Sequence, residues 1–171
     1  NLIKFATMYK DSPNMVGGNI TVKDDPRIFP FGKFLRKYKI NELPQIINVL
    51  LGDMTIIGYR PIVSEQLYFY DTEVKNIFLK RKPGLSGIAS LIFRDEEKYL
   101  TYNNTTKNNN FHDEVIAPYK AELELWYCKN QSMFIDIIII IITIISIISP
   151  SSRIYNYIFP DIPKHPLFNP A

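Results

Sequence analysis

Residues 38–61 read YKINELPQIINVLLGDMTIIGYRP, and the groups there that can do chemistry are Asn41, Glu42 and Arg60. Leu43, Ile46, Ile47, Leu50 and Leu51 recur at helical spacing. That spacing predicts a helix over 42–51 with this stripe buried. Pro44 suits the first turn, where a missing N–H is no loss. Asn41 is then the natural N-cap, its side-chain oxygen accepting a backbone N–H. Gly52 suits the position just past the helix end. Met54 to Ile57 is short and apolar, which predicts a strand, and Gly58 turns the chain to present Arg60. A helix N-terminus aimed at a loop arginine suits an anion, above all a phosphate. The same local chemistry also fits an ordinary capped helix with a solvated arginine.

Motifs elsewhere in the chain narrow the reading. They run Lys4-Phe5-Ala6-Thr7-Met8, Asp25-Pro26-Arg27-Ile28, Phe31-Gly32-Lys33-Phe34-Leu35-Arg36-Lys37, Asn41-Glu42-Leu43-Pro44-Gln45, Asn48-Val49-Leu50, Gly52-Asp53-Met54, Gly58-Tyr59-Arg60-Pro61 and Lys82-Pro83-Gly84-Leu85-Ser86-Gly87. In this order and spacing the sequence resembles the bacterial sugar transferases, the single-span polyprenol-phosphate phosphoglycosyl transferases. Arg94-Asp95-Glu96-Glu97 and the helix led by Asp136 are similar to that family's tail. The likeness covers nearly the whole chain.

The resemblance implies transfer of a phosphosugar from a nucleotide diphosphate sugar to a membrane polyprenyl phosphate. That is the first membrane step in building exopolysaccharide, capsule, O-antigen or glycoprotein glycans, at the cytoplasmic face of the bacterial inner membrane. It implies Mg²⁺ as cofactor, with Glu42 as the metal-side carboxylate. It places Lys4, Arg36 and Arg60 at the phosphate site and the nucleophile at position 41. Here that position is Asn41, where the family has aspartate. A neutral amide is a poor nucleophile. Asn and Asp cap helices about equally, so the fold would not register the exchange. Three accounts stay open: Glu42 is the nucleophile, the acceptor attacks directly, or the chain is silent and binds lipid phosphate or a partner in a glycan-assembly complex. Ala6 stands where the family has arginine, and Tyr59 where it has proline.

The elements that must position these groups follow from pattern. The expected class is α+β: a helix-dominated single domain over 1–171, with a small sheet or hairpin and interfacial amphipathic helices. Leu2-Ile3-Lys4-Phe5 is a strand candidate, and Lys23-Asp24-Asp25-Pro26 reads as a turn rather than a metal site. Pro30 opens a short basic helix over 31–38, with Phe31, Phe34 and Leu35 on one face and Lys33, Arg36 and Lys37 on another. A helix rich in aromatics is expected over 61–80, a strand over 88–93 and a polar helix from Arg94. Asn103 to Asn110 reads as a loop, 113–129 as a helix, and 150–171 as an extended, proline-punctuated tail.

The run 135–149 is nearly all isoleucine. Fifteen helical residues reach ~22 Å, short of the ~30 Å of a bilayer core. A helix lying in the interface, or packed against a membrane segment, fits better than a span. The resemblance places such a segment upstream of residue 1. The 171 residues carry a net charge of +3. That mild excess suits anionic lipid and diphosphates but does not argue for nucleic acid. One cysteine, Cys128, excludes an internal disulfide. It reads as a buried helical residue, and His112 and His165 as surface residues. There is no dinucleotide-binding or P-loop glycine motif.

Overall fold

A computed structural model describes residues 1–15, 21–61, 70–100, 105–149 and 154–169. It is helix-dominated with one two-stranded sheet, the α+β class expected. The helices are α1 (Pro30–Lys37), α2 (Gln45–Leu50), α3 (Thr72–Lys80), α4 (Ile88–Ile92), α5 (Thr105–Phe111), α6 (Ala117–Asn130), α7 (Met133–Ile148) and α8 (Tyr155–Ile158). Strands β1 (Thr55–Ile57) and β2 (Gly84–Ser86) pair in parallel, Thr55 opposite Gly84 and Ile57 opposite Ser86. A parallel pair needs a crossover rather than a tight hairpin turn, and α3 lies in that connection.

Strand β2 comes this close to the end of β1 only because Gly84 and Gly87 carry no side chain. A Cβ on Gly84 would lie 2.2 Å from the Gly58 nitrogen, and one on Gly87 would lie 2.1 Å from the Gly58 oxygen. Gly84→Ala is expected to lower stability by ~3 kcal/mol, the upper end of overpacking costs. A clear drop in Tm checks this, and an unchanged Tm contradicts the packing.

The stripe on α2 is the main departure from the periodicity. Leu43, Ile46, Ile47, Leu50 and Leu51 face outward, Leu50 being 81% exposed, and Gln45 and Asn48 are buried instead. Polar contacts explain the inversion. Asn48 accepts from the Ile3 N–H at 3.0 Å and donates to the Asn1 carbonyl at 2.9 Å. These bonds tie the N-terminal segment to α2, and Leu2 to Phe5 forms no strand; the segment makes only an isolated bridge, Met8 to Ile28. The outward α2 stripe and the exposed Phe31, Phe34 and Tyr38 of the α1 region leave large apolar surface uncovered. Phe31, Phe34 and Tyr38 pack on one another, with centroids 6.1 and 5.1 Å apart. Leu35 alone of the predicted α1 apolar face is buried.

Other expectations are corrected by the same kind of competition. Residues 88–92 are helical, because a continuous apolar run looks alike as buried strand or buried helix. Residues 96–99 form only a 3₁₀ turn. The described part of the asparagine-rich stretch is helical, as α5 continues through a π-helical turn, His112–Ile116, into α6. Of the aromatic helix over 61–80, Thr72–Lys80 is seen as α3, while Tyr68 and Phe69 lie outside the described residues. Asp25 makes a buried ion pair with Arg27 at 2.6 Å, as befits a turn. Gly52 takes φ 81° past α2, in the role expected of it. The C-terminal stretch does not trail off: Tyr155–Ile158 is helical, and Phe159, Ile162 and Phe168 are buried in the main core.

The isoleucine helix α7 has two faces. Ser132 caps it, accepting from the Ile135 N–H at 3.3 Å. Ile139 and Ile142 are fully buried in the core, whereas Ile137, Ile141, Ile144 and Ile148 are exposed. Its 16 residues reach ~24 Å. Among the described residues no helix is long and apolar enough to cross a membrane.

Candidate active site

Asn41 and Glu42 do not cap α2. They sit in a 3₁₀ turn, Ile40–Glu42, and the α2 cap is Pro44. Lys39 precedes the turn in the left-handed conformation, φ 55°. This bend drops Asn41 and Glu42 into a cleft of about 770 Å³ instead of placing them on a helix end. The Asn41 carbonyl accepts from the Phe5 N–H at 3.0 Å, so the N-terminal segment forms one wall.

The cleft gathers every site residue expected from the sequence. Lys4, Arg36, Asn41, Glu42 and Arg60 all line it. Arg60 donates to Glu42 Oε1 at 2.9 Å, and Lys4 Nζ lies 3.7 Å from the same oxygen. Arg36 is tied to the wall through Thr7 Oγ1 at 2.9 Å and Thr21 Oγ1 at 3.2 Å. Lys39, which pattern did not mark, donates to the Arg94 carbonyl at 3.1 Å and also lines the cleft. Arg94 in turn donates to the Lys37 carbonyl at 2.9 Å and to the Ser146 carbonyl, joining the end of α1 to α7.

Charge in the cleft is unbalanced. Burial alone would raise the Glu42 carboxyl, but Arg60, and then Lys39 and Lys4, outweigh it and hold the group at about 2. Burial lowers Lys4, Lys39 and Arg36, and Arg60 lowers Lys4 and Lys39 further. Arg60, Lys39 and Lys4 act together on the Glu42 carboxylate, so cations outnumber anions around it. The opposite wall is apolar: Phe5, Leu43, Ile46, Ile56, Ile140 and Ile144.

The pattern of a bacterial sugar transferase matches residues 1–150. The chain belongs to the bacterial sugar transferase family. It is 36% identical over 119 residues to an undecaprenyl-phosphate galactose phosphotransferase of Salmonella typhimurium, covering 70% of this chain and 21% of that protein. It is 31% identical over 123 residues to exopolysaccharide production protein ExoY of Sinorhizobium fredii, covering 72% of this chain and 46% of that protein. With galactosyl transferase CpsE of Streptococcus agalactiae it shares 36% over 130 residues, covering 76% of this chain and 25% of that protein. The matched stretch thus spans less than half the length of each of these relatives.

In this bacterial sugar transferase the oxygens available to a cation in the cationic cleft are few. Among the described residues no three of His, Cys, Asp and Glu come together as a metal cage. What the turn offers is the Glu42 carboxylate and the Asn41 side-chain oxygen, which is buried without a hydrogen-bond partner. That donor set fits a cation that receives most of its oxygens from a substrate, as Mg²⁺ commonly does.

The cleft also holds a second polar group, of which the sequence motifs marked only Glu96. Lys120 Nζ lies 2.6 Å from Glu96 Oε2, and His112 Nε2 lies 3.8 Å from Glu96 Oε1. His112 is buried rather than on the surface, its Nδ1 2.9 Å from Asp113 Oδ1. His165 is half-buried, packed on Tyr119 and Phe168. Cys128 is half-buried on α6, less enclosed than expected. His112 opens the π-helical turn that runs into α6 at Ala117. Only the fold brings it to Glu96.

Glu124 follows Lys120 by one turn of α6 and is 4% exposed. Burial raises its carboxyl from 4.5 to about 8, with Lys120 only partly opposing. In the fold it therefore holds its proton up to about pH 8, whereas in the unfolded chain it ionises near 4.5. Unfolding in that window releases a proton, so this group's contribution to stability falls as pH rises from about 4.5 to 8. The slope is about 1.4 kcal/mol per pH unit. Glu42 runs the other way, losing stability as pH falls from about 4.5 towards 2. Denaturation midpoints measured across pH 5–8 should therefore rise in Glu124→Gln relative to the parent, increasingly so with pH. A constant difference across that range contradicts the assignment.

Proposed function

We propose that the chain transfers a phosphosugar from a nucleotide diphosphate sugar to a polyprenyl phosphate held in the same cleft. The observation that carries the reading is the meeting of Arg60 and Lys4 on Glu42 in a cleft that Arg36, Lys39 and an apolar wall also line. Cations suit the diphosphate and the lipid phosphate, and the isoleucines and Phe5 suit the first isoprene units. Two names among the relatives, undecaprenyl-phosphate galactose phosphotransferase and UDP-galactose-lipid carrier transferase, support this substrate pair.

In the reaction an oxygen of the acceptor phosphate attacks the sugar-bearing phosphorus. The bond to the bridging oxygen breaks, and nucleoside monophosphate leaves with that electron pair. The product is a polyprenyl diphosphate sugar. Such transfers depend on alignment and charge neutralisation more than on covalent help. Arg60 and Lys4 neutralise the diphosphate, and Arg36 is held at the cleft wall to meet a phosphate. Glu42 sets the positions of Arg60 and Lys4. Pinned by both and ionised down to about pH 2, it makes a weak nucleophile. Direct attack by the acceptor follows from the amide at position 41. Mg²⁺, held by Glu42 and the Asn41 oxygen, would supply further charge stabilisation at the diphosphate.

The exposed stripe of α2, the Phe31, Phe34 and Tyr38 cluster, and the outer face of α7 suit docking on a bilayer, with Lys33 and Lys37 near headgroups. A phosphate acceptor of this kind is used at the cytoplasmic face of the inner membrane, the location proposed here.

Asn41 favours a second reading, a silent family member that binds lipid phosphate within a glycan-assembly complex. One assay separates the two. Full-length protein in nanodiscs with undecaprenyl phosphate, Mg²⁺ and a panel of UDP-sugars should release UMP and yield a lipid diphosphate sugar. Binding of undecaprenyl phosphate without any UMP release would favour the silent reading, and failure to bind both undecaprenyl phosphate and every UDP-sugar would exclude both.

A further inference from the structure

The inner end of the cleft holds a group that phosphate binding does not use. Glu124 is 4% exposed and lines the cleft, yet it has no hydrogen-bond or ion-pair partner among the described residues. A buried carboxyl left without a partner costs stability unless something completes it. Around it are a Lys120–Glu96 pair at 2.6 Å and His112. Tyr70 and Phe93 line the same end, and Phe93 lies beneath the Lys120 ammonium at 5.0 Å.

Here two carboxyl groups, Glu96 and Glu124, accompany one ammonium, Lys120, so this part of the cleft does not suit a phosphate. Neutral hydroxyls suit it well. A hydroxyl both donates and accepts, matching a protonated carboxyl and a carboxylate–ammonium pair, and sugar C–H faces pack on rings. Arg60, which meets Glu42 at 2.9 Å, lines the same cleft as Glu96, Lys120 and Glu124. The sugar carried by a phosphate at Arg60 is then in the cleft that these groups share.

We propose that Glu124, with Lys120, Glu96 and His112, forms the subsite that reads the hydroxyl groups of the transferred sugar. The inference rests on the transferase reading above. Glu124 and Lys120 set which sugar is accepted, and the cations at the mouth set affinity for the diphosphate whatever sugar it carries.

The test is calorimetric titration of full-length protein in nanodiscs with UDP, UDP-galactose, UDP-glucose, UDP-N-acetylglucosamine and UDP-N-acetylgalactosamine. The parent protein should bind one UDP-sugar at least about tenfold more tightly than UDP, the value of one well-made buried hydrogen bond. Glu124→Leu should lose that preference. Removing a carboxyl without a partner should also raise the Tm of the ligand-free protein by ~2–4 °C. Glu124→Gln, which keeps hydrogen-bonding groups, should retain more of the preference than Glu124→Leu. Lys120→Met gives a second probe should Glu124→Leu fail to fold. Discrimination unchanged in both Glu124→Leu and Lys120→Met, or a parent that binds no UDP-sugar better than UDP, overturns the subsite alone. Failure to bind UDP and every UDP-sugar overturns the transferase reading with it.

Discussion

Arg60→Ala is expected to lower kcat/KM for phosphosugar transfer about a thousandfold, the range seen when a charge-stabilising donor is removed. Arg60 is the group nearest Glu42, at 2.9 Å, and its side chain is 42% exposed, lining the cleft. A guanidinium so placed keeps its charge, because Glu42 and then Glu96 outweigh the burial that would lower it. Its loss removes the strongest cation facing the diphosphate. It also leaves Glu42 with the more distant Lys4, 3.7 Å away. The cost to the fold should be small, since a part-exposed ion pair contributes roughly 1 kcal/mol or less. Activity and Tm should therefore separate: a large kinetic loss with a nearly unchanged melt. Arg60→Lys should recover only part of the rate, because an ammonium cannot offer the planar, two-pronged contact to phosphate. A variant that melts normally and turns over at the parent rate contradicts the role given to Arg60.

Asn41→Asp is the second large effect, and its sign is opposite. The Asn41 side-chain oxygen is buried and has no hydrogen-bond partner. A carboxylate there would stand in the cleft that Lys4, Arg36, Lys39 and Arg60 line, beside Glu42. Such a surplus of positive charge lowers a carboxyl and keeps it ionised at neutral pH. Asp therefore enters as a charged nucleophile at little cost to the fold. Turnover should rise at least about a hundredfold as one in-line displacement becomes two easier ones through a phosphosugar ester. Mass spectrometry should find that adduct on residue 41 of the variant and none on the parent chain. An adduct on Glu42 of the parent, with no gain in the variant, would show that the nucleophile has moved.

The site was more legible in the sequence than the fold around it. Lys4, Arg36, Asn41, Glu42 and Arg60 come together in one cleft because motif residues keep their spacing even when local structure is misread. The helix carrying Asn41 and Glu42 was misread. Periodicity located an apolar stripe correctly but could not say which way it faces. The bonds from Asn48 to Ile3 and Asn1 decide that, and they join residues 45 and more apart in sequence. A continuous apolar run such as 88–92 has no period to distinguish strand from helix. Lys39 escaped notice because its left-handed bend leaves no compositional trace. The Glu96, His112, Lys120 and Glu124 group is assembled from a turn and two helical segments, so no local pattern contains it.

The most direct test of the account is an experimental structure of the full-length protein with a nucleotide diphosphate sugar and Mg²⁺. The account predicts diphosphate oxygens within hydrogen-bonding reach of Arg60 and Lys4, beside Glu42, with the sugar directed towards Glu124. A diphosphate bound elsewhere, with Arg60 still closed on Glu42 and the cleft free of ligand, would contradict it.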